Sequence, residues 1–243
     1  DQPVGKFTEA ALLGAATIQY SRKEYAKAGS HYEQLEAVAS FATNVLEAQI
    51  GQMRCDFQLG KYDKALTAAN EVIFNPDSPE NITTEARILR GRMLFNNKDY
   101  DPARTDFLWL STNAKGKEGA EGKYKLAEIA FALNDLDEAE KQIFELIQGF
   151  ASFDNWKIRG FMLLADVYVA KGDNFQAKAT LQSVIDNVQD PATVSEARAK
   201  LAAIDQAEIK STQEQKAKSD AARPADVDEY RDLIDENNTP KKQ

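Results

Sequence analysis

The chain has 243 residues, with 39 Asp and Glu against 30 Lys and Arg, a formal charge of −9 and a single cysteine. That charge repels phosphate backbones and anionic lipid surfaces, which argues against nucleic acid and membranes as partners. One cysteine (Cys55) and one histidine (His31) exclude an intrachain disulfide and leave too few ligands for a zinc site built on Cys or His.

Hydrophobic residues make up 43% of the chain while Gly (12) and Pro (7) are sparse, the composition of packed helices. No window reaches the ~18–20 uninterrupted apolar residues of a membrane span, so no insertion into a bilayer is expected. The first predicted helix, near Phe7–Tyr20, is apolar on several sides, at Ala11, Leu12, Leu13, Ala15 and Ile18. With the opening Asp1-Gln2-Pro3, it gives the expectation of a fragment whose N-terminal face packs on an earlier repeat.

From there one punctuation recurs: a helix, a short polar break, then an aromatic or Leu followed by Ala. It reads Tyr25-x-x-Ala28, Tyr62-x-x-Ala65, Tyr100-x-x-Ala103 and Leu136-x-x-Ala139, and, with the aromatic shifted by one, Phe175-x-Ala177. The alanines are 37, 38, 36 and 38 residues apart, a spacing too regular for chance. An Ala is required where a second helix crosses close to a first. The matching small residues on the first helices are Ala16, Gly91, Ala127 and Ala165, whereas Met53 breaks the pattern and predicts looser packing in the second unit. Tyr32, Phe107, Ile143 and Leu181 are expected to pack between neighbours, with Ala69 a weak match. The turn aromatics Tyr25, Tyr62 and Tyr100 are expected to plug the end of each pair.

These units resemble the tetratricopeptide repeat, a helix–turn–helix of about 34 residues, over residues 8–190. They run two to four residues longer than that unit, which places lengthened turns at Pro76 and Pro79, at Gly116 and Gly119, and at Pro191. The stretch from Leu163 to Leu181 is similar to the C-terminal repeats of large tetratricopeptide proteins of the bacterial cell envelope, especially in Bacteroidota. The resemblance implies an all-α fold: a right-handed α-solenoid of about five helix pairs (residues 1–190) plus a C-terminal capping helix. Residues 191–216 suit that cap, with Val194, Ala197, Leu201 and Ile204 at helical spacing. Residues 217–243 read as a polar flexible tail broken by Pro224 and Pro240. Val227, Tyr230, Leu233 and Ile234 offer the alternative of a short docking helix.

The resemblance also implies that the first helices line a concave groove. Aligning the five alanines puts Tyr20, Phe57, Phe95, Phe131 and Val169 in one column and Thr17, Arg54, Arg92, Glu128 and Asp166 in the next. A third holds Leu13, Ile50, Ile88, Tyr124 and Met162. Aromatic and Arg anchors of this kind suit a peptide or partner helix. The other reading is shared core plus solvated charge, with Arg54 and Arg92 paired either to Glu47 and Glu85, each seven residues earlier on the same face, or to acidic neighbours. The Lys/Asn clamp of chaperone-binding relatives is absent from these columns, so an acidic C-terminal peptide is not the expected ligand.

Nothing points to catalysis, a metal or a cofactor. His31 has no nucleophile to serve, Cys55 reads as a buried apolar residue, and Asp135, Asp137, Asp186 and Asp190 fall at turns as helix caps. Glu128 is the one remote candidate for a lytic carboxylate, in a peptidoglycan-binding or lytic protein. The expected function is therefore a non-catalytic protein-interaction scaffold, periplasmic or outer-membrane associated, with a cytoplasmic location as the alternative. The rival function is an architectural segment of a longer solenoid, or a spacer that self-associates through its N-terminal repeat face.

Overall fold

In the computed structural model, residues 6–221 are described. They form eleven helices and no strand. The helices are α1 (Lys6–Ser21), α2 (Tyr25–Val38), α3 (Ala42–Gln58), α4 (Tyr62–Phe74), α5 (Glu80–Asn96), α6 (Tyr100–Asn113), α7 (Lys117–Ala132), α8 (Leu136–Gly149), α9 (Asp154–Ala170), α10 (Asn174–Asn187) and α11 (Pro191–Ala221). The expected all-α solenoid is the fold found. The chain divides into two units, Asp1–Lys171 and Gly172–Gln243.

In the first unit every helix packs on the next, and each odd-numbered helix also touches the following odd-numbered one. The odd-numbered (first) helices therefore form one continuous wall, and the core lies between consecutive pairs. Ala28, Ala65, Ala103 and Ala139 are all completely buried, as small residues at close helix crossings must be.

The second pair corrects an expectation. Met53 is fully buried, not loosely packed, and it clusters with Ala69, Ala68 and Val72. Ala69 occupies the column where the other pairs carry Tyr32, Phe107, Ile143 or Leu181, so the large and small partners have exchanged helices. Total volume is kept, and a packed core tolerates that exchange.

The turn within each pair repeats one backbone device. Five residues before each alanine the chain enters the left-handed region: Lys23 (φ 61), Gly60 (φ 71), Lys98 (φ 65), Asn134 (φ 59) and Gly172 (φ 78). In the first unit the last first-helix carbonyls are closed by paired bonds, such as Gly60 N to Phe57 O and Lys61 N to Asp56 O, or Lys98 N to Phe95 O and Asp99 N to Leu94 O. This is a Schellman stop, which satisfies carbonyls the helix leaves open.

Of the four turn aspartates, Asp135 caps α8 through Glu138 N and Asp190 caps α11 through Thr193 N. The other two are corrections. Asp137 lies inside α8 and binds Lys171, and Asp186 lies inside α10 and accepts from Gln182.

In the second unit α11 packs on α10, burying Ala197 and Ile204 while Val194 and Leu201 stay half-buried. Lys178 bridges Asp205 and Glu208, and Asn174 also donates to Glu208. The helix runs on past residue 216 to Ala221, exposed throughout its last turns. Pro224, Val227, Tyr230, Leu233, Ile234 and Pro240 lie outside the described residues.

Candidate functional site

The aromatic column of the wall is half-buried, because each ring leans on the aromatic that opens its own second helix. Tyr20 meets Tyr25 (centroids 5.4 Å), Phe57 meets Tyr62 (6.1 Å) and Phe95 meets Tyr100 (5.7 Å). Phe131 packs instead on the α7–α9 core with Leu136. Phe95 also carries the Lys125 ammonium 4.0 Å above its ring. The turn aromatics thus plug their pairs by packing on this column.

Of the two pairings the sequence left open for the arginines, the structure takes the one with acidic neighbours. Arg54 reaches forward to the next first helix, where Nε and Nη2 donate to the two Glu85 oxygens at 2.7 and 2.5 Å. Arg92 does the same to Glu121 of α7, at 2.5 and 2.6 Å. The carboxylate from the neighbouring repeat, not the one seven residues back, receives each fork. Both guanidinium pKa values are raised, first by these hydrogen bonds. The bracket is absent between α1 and α3, where Thr17 stands in the arginine column and Glu47 is exposed. Between α7 and α9 the charge types reverse: Glu128 occupies the arginine column and Arg159 the carboxylate column.

Glu128 is held within α7 by Lys125 at 2.6 Å. Burial, and then the Glu128 carboxylate, push the Tyr124 phenol above its usual range. The Tyr124 ring leans on Trp156 of α9 (5.4 Å), and Arg159 covers the Trp156 ring at 5.0 Å. Asp166, one helical turn beyond Met162 on α9, is half-buried and electrostatically engaged.

Across α5, α7 and the start of α9 the wall opens into a cleft of 560 Å³. Its floor is Ile88 and Leu89; Glu85, Arg92, Glu118 and Glu121 line its sides, and Asn81, Thr84, Lys117 and Trp156 complete it. Of the nine expected site residues only Arg92 lines it. Tyr20, Arg54, Phe57, Phe95, Tyr124, Glu128, Phe131 and Asp166 lie elsewhere along the wall. Sequence reading missed Trp156, Asn81 and Lys117. Their signal was the column three to four residues upstream of the Glu85/Glu121 column, in the opening turn of each first helix.

The remaining chemistry candidates are quiet. Cys55 is fully buried, and burial pushes its thiol to about 11. The His31 Nδ1 sits 3.0 Å from the Lys27 carbonyl oxygen one turn back on its own helix. Among the described residues no group of three or more His, Cys, Asp or Glu is placed to hold a metal ion. No described helix is long and apolar enough to cross a membrane.

Comparison with known proteins agrees with this architecture. Residues 91–155 and 160–190 each match the tetratricopeptide repeat family. No curated protein sequence matches the chain significantly. Among solved structures, a tetratricopeptide repeat protein from Parabacteroides merdae ATCC 43184 is similar at 21% identity and TM-score 0.56, covering 93% of this chain and 83% of that one. The MamA protein is similar at 16% identity and TM-score 0.61, covering 75% of this chain and 92% of its own. BtubC (BKLC) from P. vanneervenii is similar at 18% identity and TM-score 0.59, covering 94% and 95%. At these identities the likeness establishes the fold alone, and such repeats suggest a protein-interaction or scaffold role. With its repeat matches, its five alanine-centred turns and its stack of helix pairs, the chain carries tetratricopeptide repeats.

Proposed function

We propose that the chain is a non-catalytic scaffold that binds a peptide or partner helix along the wall of first helices. The observation that carries this reading is the cleft spanning α5, α7 and α9, where apolar floor, aromatic wall and spare hydrogen-bonding groups converge. Phe57, Phe95 and Phe131, half-exposed along the same wall, would extend the contact, and Tyr20, Arg54, Tyr124, Glu128 and Asp166 flank it. The test is capture of partners from a native extract by the tagged full chain, compared with a Phe57→Ala/Phe95→Ala/Phe131→Ala variant of unchanged helicity. Recovery by the variant equal to that of the parent rejects the groove.

We further assign this activity to a cell-envelope assembly or secretion complex, periplasmic or outer-membrane associated. The similarity of residues 163–181 to envelope tetratricopeptide proteins supports it. Fractionation of native cells tests it, and recovery in the cytosol alone rejects it. The architectural rival draws support from α1, where Ile18 is 53% exposed beside Ala11 and Gly14. Concentration-dependent self-association in sedimentation would favour that rival, and a monomer at all concentrations would reject it.

A further inference from the structure

Resting on the groove reading, the charge balance of the cleft narrows the class of ligand. Glu85 and Glu121 each have both carboxylate oxygens occupied, by Arg54 and Arg92 respectively. Glu118 stands 3.9 Å from Lys117. Three carboxylates therefore meet three cations in and behind the cleft, and the site is electrically neutral inside a chain of net charge −9. Two of its three carboxylates are committed to guanidinium forks, while donors remain open. A guanidinium has five N–H groups; Arg92 uses Nε and Nη2, leaving Nη1 without a protein partner. Asn81, exposed on the rim, has no hydrogen-bond partner among the described residues, so its amide is open. Beneath these donors lie Ile88 and Leu89, with the Trp156 indole on the wall.

We infer that this cleft takes an uncharged, extended polypeptide segment, with main-chain carbonyls on Arg92 and Asn81 and an apolar side chain on Ile88, Leu89 and Trp156. An acidic segment gains nothing from a neutral site and is repelled by the rest of the chain. A basic segment must break a bidentate pair to reach Glu85 or Glu121 and finds only Glu118 open, with the Lys117 ammonium 3.9 Å away to oppose it. A neutral chain in β or polyproline conformation carries unpaired carbonyls, the chemistry the open donors lack. The cleft's volume falls within the ~300–1,000 Å³ of ligand-binding clefts, enough for a few extended residues.

The experiment probes three immobilised libraries of blocked decapeptides with the labelled full chain: Ala/Leu/Phe/Ser only, the same with two Asp or Glu, and the same with two Lys or Arg. The inference expects retention on the neutral set, with the acidic and basic sets weaker by at least about tenfold. Calorimetry on a retained neutral peptide should give an affinity that changes less than about twofold between low and high salt. Trp156→Ala should weaken binding by at least about tenfold. Since Trp156 also packs on Tyr124, Asn81→Trp serves as a second variant: it fills the cleft from an exposed helical position and should abolish binding without loss of helicity. Preference for a charged library, steep salt dependence, or binding untouched by both variants overturns the inference. Binding lost in the triple phenylalanine variant but intact in Trp156→Ala and Asn81→Trp overturns the cleft and leaves the groove standing. Retention of no library overturns the inference, and the groove reading is then decided by the capture from native extract alone.

Discussion

At the residue scale, Lys98 shows what the fold demands of single positions. Its φ of 65 lies in the left-handed region, where an L side chain crowds the following carbonyl, while Gly60 and Gly172 occupy the equivalent position without that penalty. Lys98→Gly should therefore stabilise the chain by about 1 kcal/mol in urea denaturation, the relief of crowding outweighing the added freedom of the unfolded chain. Gly119 is the opposite case: a Cβ there would overlap the Ala114 carbonyl oxygen, which is backbone and cannot rotate away. Gly119→Ala should cost about 2 kcal/mol or more in the same assay. The buried Cys55 thiol, with its pKa raised by burial, should react with a thiol reagent at pH 8 only after denaturation. The five alanines were visible in the sequence because their size is fixed by helix crossing. The left-handed turn column was not, because Lys, Gly and Asn share that backbone state without sharing a side-chain type.

At the element scale, buried polar ties join helices that the repeat pattern treats as equivalent. Asp106 of α6 is completely buried between two arginines of α5, accepting from Arg87 at 2.9 Å and from Arg90 at 2.7 and 2.8 Å. Arg90 also reaches Asn70 of α4, so one residue staples three helices. Asp106→Ala would leave two largely buried guanidinium groups without their anion and should cost about 3–5 kcal/mol of unfolding free energy. Glu9 of α1 makes a comparable tie, accepting from Asn44 of α3 and from the amide and hydroxyl of Ser40 just before that helix. The hydrogen bond from Asn44, then that from the Ser40 amide, hold its carboxyl below the ordinary value of 4.5. A depressed folded value means its contribution is complete above the unfolded pKa and is lost as pH falls through the folded one. Acid titration of stability below pH 4.5 should accordingly be shallower in Glu9→Gln than in the parent. Neither tie was legible in the sequence, because each joins residues whose columns are unremarkable and whose partners become neighbours only after the helices stack. The sequence left two pairings open for Arg54 and Arg92 for the same reason, and distance decides between them: a residue seven positions back on a helix is about 10 Å away, farther than the next repeat.

At the scale of the whole molecule, stability in such an array is a sum of intrinsic repeat terms and nearest-neighbour contacts. Repeat number and register were readable from the alanine spacing, since that spacing is the pitch of the stack. The cleft was not, since it depends on where the first helices of three successive repeats part, and helix spacing alone carries no such information.

The forward Arg-to-Glu bracket and its reversal at Glu128 and Arg159 also have a genealogical consequence: the repeats are not interchangeable cassettes. A tandem copy of residues 80–116 would set Arg92 against a second Glu85, reproducing a bond the chain already makes. A tandem copy of residues 117–153 would instead bring Glu128 toward a second Glu121, carboxylate against carboxylate, at a penalty on the order of 1 kcal/mol. The first insertion should melt as cooperatively as the parent and the second at a lower temperature. Growth of this chain by duplication is thus permitted at its third repeat and penalised at its fourth.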